Sequence, residues 1–327
     1  MEDTSNANNY RFGKGEKMTL PITRISVIGA GALGSVYASL FYVMDRDCVS
    51  FIAASDRLKR LRSEGVIVNG RHYRIPVIPP GDASPPADLM MVAVKHHHLD
   101  AAIGEMKSRI GPKTIILSVM NGIDSEERIG AACGMEKVLY ALNMGIDALR
   151  EGNRVTFTTL GKIFFGEAQN PVITKRVARV QALFDRAGIV SETPPDMIRT
   201  LWWKFLVNVG INQASAVLRA PYGVFQTSSE ARNLMESAMR EVIAIAGKAG
   251  VDLSERDITE FYKVLSTLGP KGKTSMLQDV EAGRKTEVDM LAGRILSLGK
   301  RYGVPTPVNQ RLYDSIRAME TAKAAPA

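Results

Sequence analysis

The chain has 327 residues, 45% of them hydrophobic and 23% charged, the balance of a soluble globular protein with room for two domains and a substantial core. Its two cysteines, Cys48 and Cys133, exclude a disulfide framework and a cysteine-rich metal site. The net charge of +8 suits anionic ligands, but the lysines and arginines are dispersed and not interleaved with aromatics, so no nucleic-acid partner is expected.

Residues 1–21 are polar, contain glycine and lack the apolar core of a signal peptide, so they are expected to form a mobile tail. No run reaches membrane-spanning length, so no membrane partner is expected and the placement is cytoplasmic. Residues 24–34, RISVIGAGALG, join a short apolar strand to a glycine turn and the start of a helix over 35–44. This order is the dinucleotide-binding fingerprint. Gly29 suits the sharp turn, Gly31 lets backbone approach a pyrophosphate, and Gly34 lets helix pack on strand. Ala30, Ala32 and Leu33 complete the loop. Free N–H groups at a helix start favour an anion.

A second strand follows over 49–53. An NAD site usually places an acid at the end of this strand, whereas Ala53, Ala54 and Ser55 stand here. Asp56 then precedes a basic run that includes Arg57. Ser55 and Arg57 are candidates for a 2′-phosphate, which tilts the cofactor to NADP(H). The same basic run also reads as the wet face of a helix.

Residues 66–70 and 72–78 read as a strand pair turning at Asn69-Gly70. Apolar runs at 89–94 and 114–119 read as buried parallel strands. Lys95 and Asn121 lie just beyond them, where open parallel sheets bind ligands, although each also suits an ordinary strand-end turn. His96, His97 and His98 are consecutive and point in different directions, so no metal is expected. Further strands are expected at 137–143, 154–159, 162–166 and 188–191, with a polar connection over 147–153 and a helix over 171–187.

Beyond Pro195 the strand signal stops, and helices are expected at 196–218, 229–249, 255–268, 274–282, 287–302 and 307–323. The fold class is therefore α/β, with an N-terminal Rossmann-like dinucleotide-binding domain over 22–194 and an all-helical C-terminal domain over 195–327. Within LWWKFLVNVGIN, Lys204, Asn208 and Asn212 are spaced by four and share one helix face. A polar stripe on an otherwise apolar helix needs polar partners or a ligand, unless it simply faces solvent.

The chain resembles the ketopantoate reductases, from Ile25 to about Met319. The resemblance rests on GAGALG, Val94-Lys95, Asn121-Gly122, the LWWKFLVNVGIN helix, and SMLQD at 275–279 followed by KTEVD at 285–289. It implies NADPH-dependent reduction of a 2-oxo acid, ketopantoate, to pantoate in pantothenate synthesis. It also implies that Lys204 is the catalytic lysine and that Glu287 stands beside the substrate. By the same resemblance, Asn121, Asn208, Asn212 and Ser275 hold substrate or organise the site, and Lys95 lies at the cofactor cleft. The chain departs from the family pattern at Ala54, where an arginine often stands, and at Gly272, where an asparagine often stands. The partners expected are a small-molecule 2-oxo acid and possibly a second copy of the chain.

Overall fold

The computed structural model describes residues 20–324, so most of the expected tail lies outside them. Strand β1 (Ile25–Ile28), helix α1 (Ala32–Met44), β2 (Val49–Ile52) and α2 (Ser55–Glu64) come first. They are followed by β3 (Val66–Val68), β4 (Arg71–Tyr73), β5 (Val77–Ile78), β6 (Leu89–Val92) and α3 (Leu99–Met106). Next come β7 (Ile115–Ser118), α4 (Ser125–Cys133), β8 (Val138–Met144), β9 (Leu149–Glu151) and β10 (Arg154–Thr156). Strand β11 (Lys162–Gly166), α5 (Lys175–Arg186) and β12 (Ser191–Glu192) end the strand-bearing half.

The eight-stranded sheet runs in the order β12-β11-β8-β7-β6-β1-β2-β5. It is parallel except where β11 meets β8. The strands β1, β2, β6 and β7 are buried throughout, which is why they appear in the sequence as continuous apolar runs. One face packs on Val36, Tyr37 and Phe41 of α1 and on Val180 and Phe184 of α5. The other packs on Leu99, Ile103 and Met106 of α3 and on Ile129 of α4.

The expected strand over 72–78 divides in two. Tyr73 stays with the hairpin, and Val77 crosses to pair with Phe51 of β2. Pro76 lies between them and has no N–H for a ladder, but its carbonyl accepts from Phe51 N–H at 2.8 Å. The expected polar connection over 147–153 contains strand β9, paired with β10. The hairpin joins a second sheet of order β4-β3-β10-β9 that flanks the main one. The sequence shows it poorly because β9 is short and at an edge, with exposed Leu149 and Glu151.

The second half contains α6 (Met197–Val207), a π-turn (Asn208–Asn212), α7 (Gln213–Leu218), α8 (Tyr222–Thr227) and α9 (Ser229–Lys248). Helices α10 (Glu255–Thr267) and α11 (Ser275–Glu281), a second π-turn (Asp289–Gly293), α12 (Arg294–Tyr302) and α13 (Pro307–Ala324) follow. Their core is separate from that of the sheet and includes Phe205, Phe225, Met239, Phe261 and Leu291. A small cluster of Leu142, Met197 and Leu201 joins the two halves. Among the described residues no helix is long and apolar enough to cross a membrane.

Candidate active site

The site begins at the end of β1. Gly29 turns the chain at φ +103°, and a Cβ there would lie 2.4 Å from the carbonyl oxygen of Ala93. A Cβ on Gly34 would lie 1.8 Å from the carbonyl oxygen of Gly29, so helix and turn touch through bare backbone. Helix α1 starts without a side-chain cap and with no acid in its first turn. Its first N–H groups therefore remain available to an anion.

These groups line a cavity of about 570 Å³ that also borders the helical half. Residues 29–33, Arg57, Lys95, Asn121, Ser275 and Glu287 all line it. Arg60, noted only within the basic run, and Asp279, noted only within SMLQD, line it as well, as do Arg150 and Arg284, which sequence reasoning missed. Ser55 is exposed with φ 52° and does not line the cavity, and Ala54 presents only a methyl group. Arg57 faces Glu105 of α3 at 4.0 Å. The three histidines form a short turn into α3, where His96 Nε2 meets Asp124 at 3.3 Å.

Polar contacts between the halves include several from the predicted site residues. Asn121 Nδ2 donates to Glu287 Oε2 at 3.2 Å. Lys95 Nζ donates to Asp279 Oδ2 at 2.6 Å, and Arg284 Nε donates to the other oxygen of that carboxylate at 2.8 Å. Lys204 Nζ donates to the carbonyl oxygen of Asn143 at 2.5 Å. Burial brings the Lys204 ammonium down to about 8, against the opposing pull of the Glu287 charge. A lysine held in this way can lose its proton near neutral pH, as a proton donor requires.

Local structure fixes each of these groups. Asp196 caps α6 by accepting from Arg199 N–H at 2.8 Å, which sets the phase of the helix bearing Lys204. Thr274 caps α11 through Leu277 N–H at 3.1 Å and bonds Ser215 of α7 at 3.2 Å, which sets the helix start at Ser275. Thr286, next to Glu287, is held by Glu320 of α13 at 2.7 Å. The side chain of Asn143 is buried between Tyr37, whose hydroxyl donates to it at 2.5 Å, and the carbonyl oxygen of Val119 at 3.5 Å. Tyr37, Asn143 and Glu320 have no local sequence signal, because each acts across a large separation.

The expected i, i+4 stripe is altered in one respect. The helix is regular to Val207 and then widens into the π-turn Asn208–Asn212, so a straight α-helix does not relate the two asparagines. Asn208 is half-buried and Asn212 buried. Gly272 packs against Tyr222, where a Cβ would lie 2.9 Å from the ring.

A parallel sheet whose strand ends open into a cleft bordered by a helical half is the plan of a dinucleotide-dependent oxidoreductase. The chain belongs to the ketopantoate reductase family. The family profile described as "Ketopantoate reductase PanE/ApbA" matches residues 25–170, and that described as "Ketopantoate reductase PanE/ApbA C terminal" matches residues 196–320. The 2-dehydropantoate 2-reductase of Aquifex aeolicus is 24% identical over 312 residues, covering 91% of this chain and 97% of the relative. A ternary structure of D-mandelate dehydrogenase with NADH and anilino(oxo)acetate superposes with a TM-score of 0.82 at 22% identity, covering 92% of this chain and 100% of that one. The dimeric ketopantoate reductase of Staphylococcus aureus gives a TM-score of 0.76 at 21% identity, with 92% and 99% covered. These two structural likenesses speak to the fold.

Proposed function

We propose that the protein is a cytoplasmic, NADPH-dependent 2-dehydropantoate 2-reductase, converting ketopantoate to pantoate for pantothenate biosynthesis. The observation that supports this most is Glu287, which lines the nucleotide cleft, is held there by Asn121 and acts through its charge on the buried Lys204. In this proposal residues 22–194 hold the coenzyme and residues 195–327 hold the acid. The bare-glycine turn and the uncapped start of α1 fit a dinucleotide diphosphate. Bound there, the reduced nicotinamide supplies the hydride that goes to the 2-oxo carbon.

The remaining roles fall to this chain's own side chains. Negative charge grows on the carbonyl oxygen, and the Lys204 ammonium stabilises it and delivers the proton. Glu287 orients Lys204, and Asn121 fixes the Glu287 carboxylate from the opposite half. Asn208, Asn212 and Ser275 receive the acid's carboxylate and hydroxyl groups. Arg57 and Lys95, which line the cavity, serve the coenzyme. The Staphylococcus aureus relative is described as dimeric, and a homodimer is proposed here too.

Gly272 favours a second reading, a reductase of another 2-oxo acid. The loop bonds back on itself, from Gly272 N–H to the carbonyl oxygen of Gly269 at 2.8 Å, and offers no side chain for a substrate carboxylate. NADPH oxidation across a panel of 2-oxo acids separates the two. The highest kcat/KM on ketopantoate supports the first reading, and a higher value on another acid supports the second. Tight NADPH binding with no turnover on any acid removes both in favour of a non-catalytic nucleotide sensor.

A further inference from the structure

Two arginines from different elements line the nucleotide cleft. Arg150 projects from β9 in the flanking sheet, and Arg60 from α2. Both line the cavity beside the glycine turn. Arg150 Nη1 donates to the carbonyl oxygen of Ala30, and its Nε donates to that of Gly152 at 2.8 Å. These bonds seat the guanidinium over the residue after the first turn glycine. Burial, and then the like charge of Arg60, push the Arg150 guanidinium down. Among the described residues neither arginine has an ion-pair partner, whereas the neighbouring Arg57 has Glu105 and Arg284 has Asp279. Holding one guanidinium half-buried beside another is unfavourable unless an anion joins them.

The position identifies the anion. The diphosphate of a dinucleotide is served by the N–H groups at the start of α1. Arg60 lies on the helix that follows β2, and in such sheets this is where the adenosine ribose lies. At the end of β2, Ala54 has only a methyl group and Ser55 does not line the cavity. We infer that Arg60 and Arg150 together clamp the 2′-phosphate of NADP(H), one from the nucleotide-binding sheet's own helix and the other from the flanking sheet. The inference rests on the NADPH reading above and names the groups that enforce it. A phosphate dianion between two guanidinium forks gains charge-assisted hydrogen bonds that a ribose hydroxyl cannot match.

The test is coenzyme binding without turnover. Affinities of NADPH, NADH, 2′,5′-ADP and 5′-AMP are measured by calorimetry for the wild type, Arg60→Ala, Arg150→Met and Arg150→Lys. Arg60 is exposed, so its variant reports even if an Arg150 variant folds poorly. The wild type is expected to prefer NADPH over NADH. Each neutral variant should lose ~10- to 100-fold in affinity for NADPH and 2′,5′-ADP, the size of a lost charge-assisted contact. NADH and 5′-AMP should change by about twofold or less, as for surface substitutions away from a contact. Arg150→Lys should recover part of the loss. Equal loss for both coenzymes would reduce Arg150 to a prop for the glycine turn and overturn the clamp. So would unchanged NADPH affinity, or a wild type that binds NADH as tightly. If the clamp behaves as expected but no 2-oxo acid is reduced, the reductase reading alone falls.

Discussion

On the sheet side of the cleft, the strand-to-helix crossing offers bare backbone: the turn at Gly29 and the uncapped first turn of α1. On the helical side the groups offered are side chains, Ser275 at the start of α11 and Glu287 in the segment before the second π-turn, with Lys204 of α6 under the Glu287 charge. Backbone recognition needs only a particular local chain path, and any dinucleotide shares the diphosphate it grips. Side-chain recognition needs groups from distant segments and can be specific for one acid. In the proposed function the halves divide the work: the turn grips the dinucleotide, the sheet-side arginines select it, and the helical side grips the acid.

The largest expected effect tests that division directly. Lys204→Ala should lower kcat by ~10²–10⁴-fold, the usual contribution of general acid catalysis, while NADPH affinity measured by fluorescence titration stays within about twofold. If coenzyme binding fell with turnover, the helical side would also be gripping the nucleotide and the division would break.

Gly34→Ala probes the other half. Its Cβ would meet the Gly29 carbonyl oxygen at 1.8 Å, and only a backbone shift relieves that. A cost of about 1–3 kcal/mol is expected, read as a lower denaturation midpoint. Weaker NADPH binding should accompany it.

A pH profile sharpens the assignment of Lys204. Its proton is lost as pH rises through about 8, so kcat should fall above that value if the ammonium is the donor. Glu287 opposes this loss, so Glu287→Gln should move the falling limb to lower pH. A limb that stays in place would detach Glu287 from Lys204.

The smallest effect is expected at the join. Tyr37→Phe leaves the Asn143 side-chain oxygen without its donor inside the core, at a cost of about 1–3 kcal/mol in stability by chemical denaturation. Because Lys204 is held by the backbone of Asn143, kcat should change far less than in Lys204→Ala.

The same contrast explains what could be read in advance. The glycine turn, the buried strands and the helical second half each have a local pattern, and the structure has all three. Lys95, Asn121 and Glu287 were identified by motif and resemblance, and they line one cavity. Arg150 escaped notice because its strand is a short piece of polar edge. Tyr37 and Asn143 escaped because a buried hydrogen bond spanning 106 residues has no periodicity to betray it. Asn121 and Glu287 stand 166 residues apart, and nothing in either segment alone pairs them.

The widened turn at Asn208–Asn212 has a consequence for how such a helix can change. A π-turn holds one residue more than the surrounding helix needs to close its hydrogen bonds. Losing one residue there would restore a regular helix and leave α6 and α7 facing as they do now. Only the side chains within the turn would be re-aimed. Asn208 and Asn212, proposed to receive the acid, thus sit on a stretch of the helix where a single-codon deletion could re-aim them while Lys204 and the core behind it stay in place.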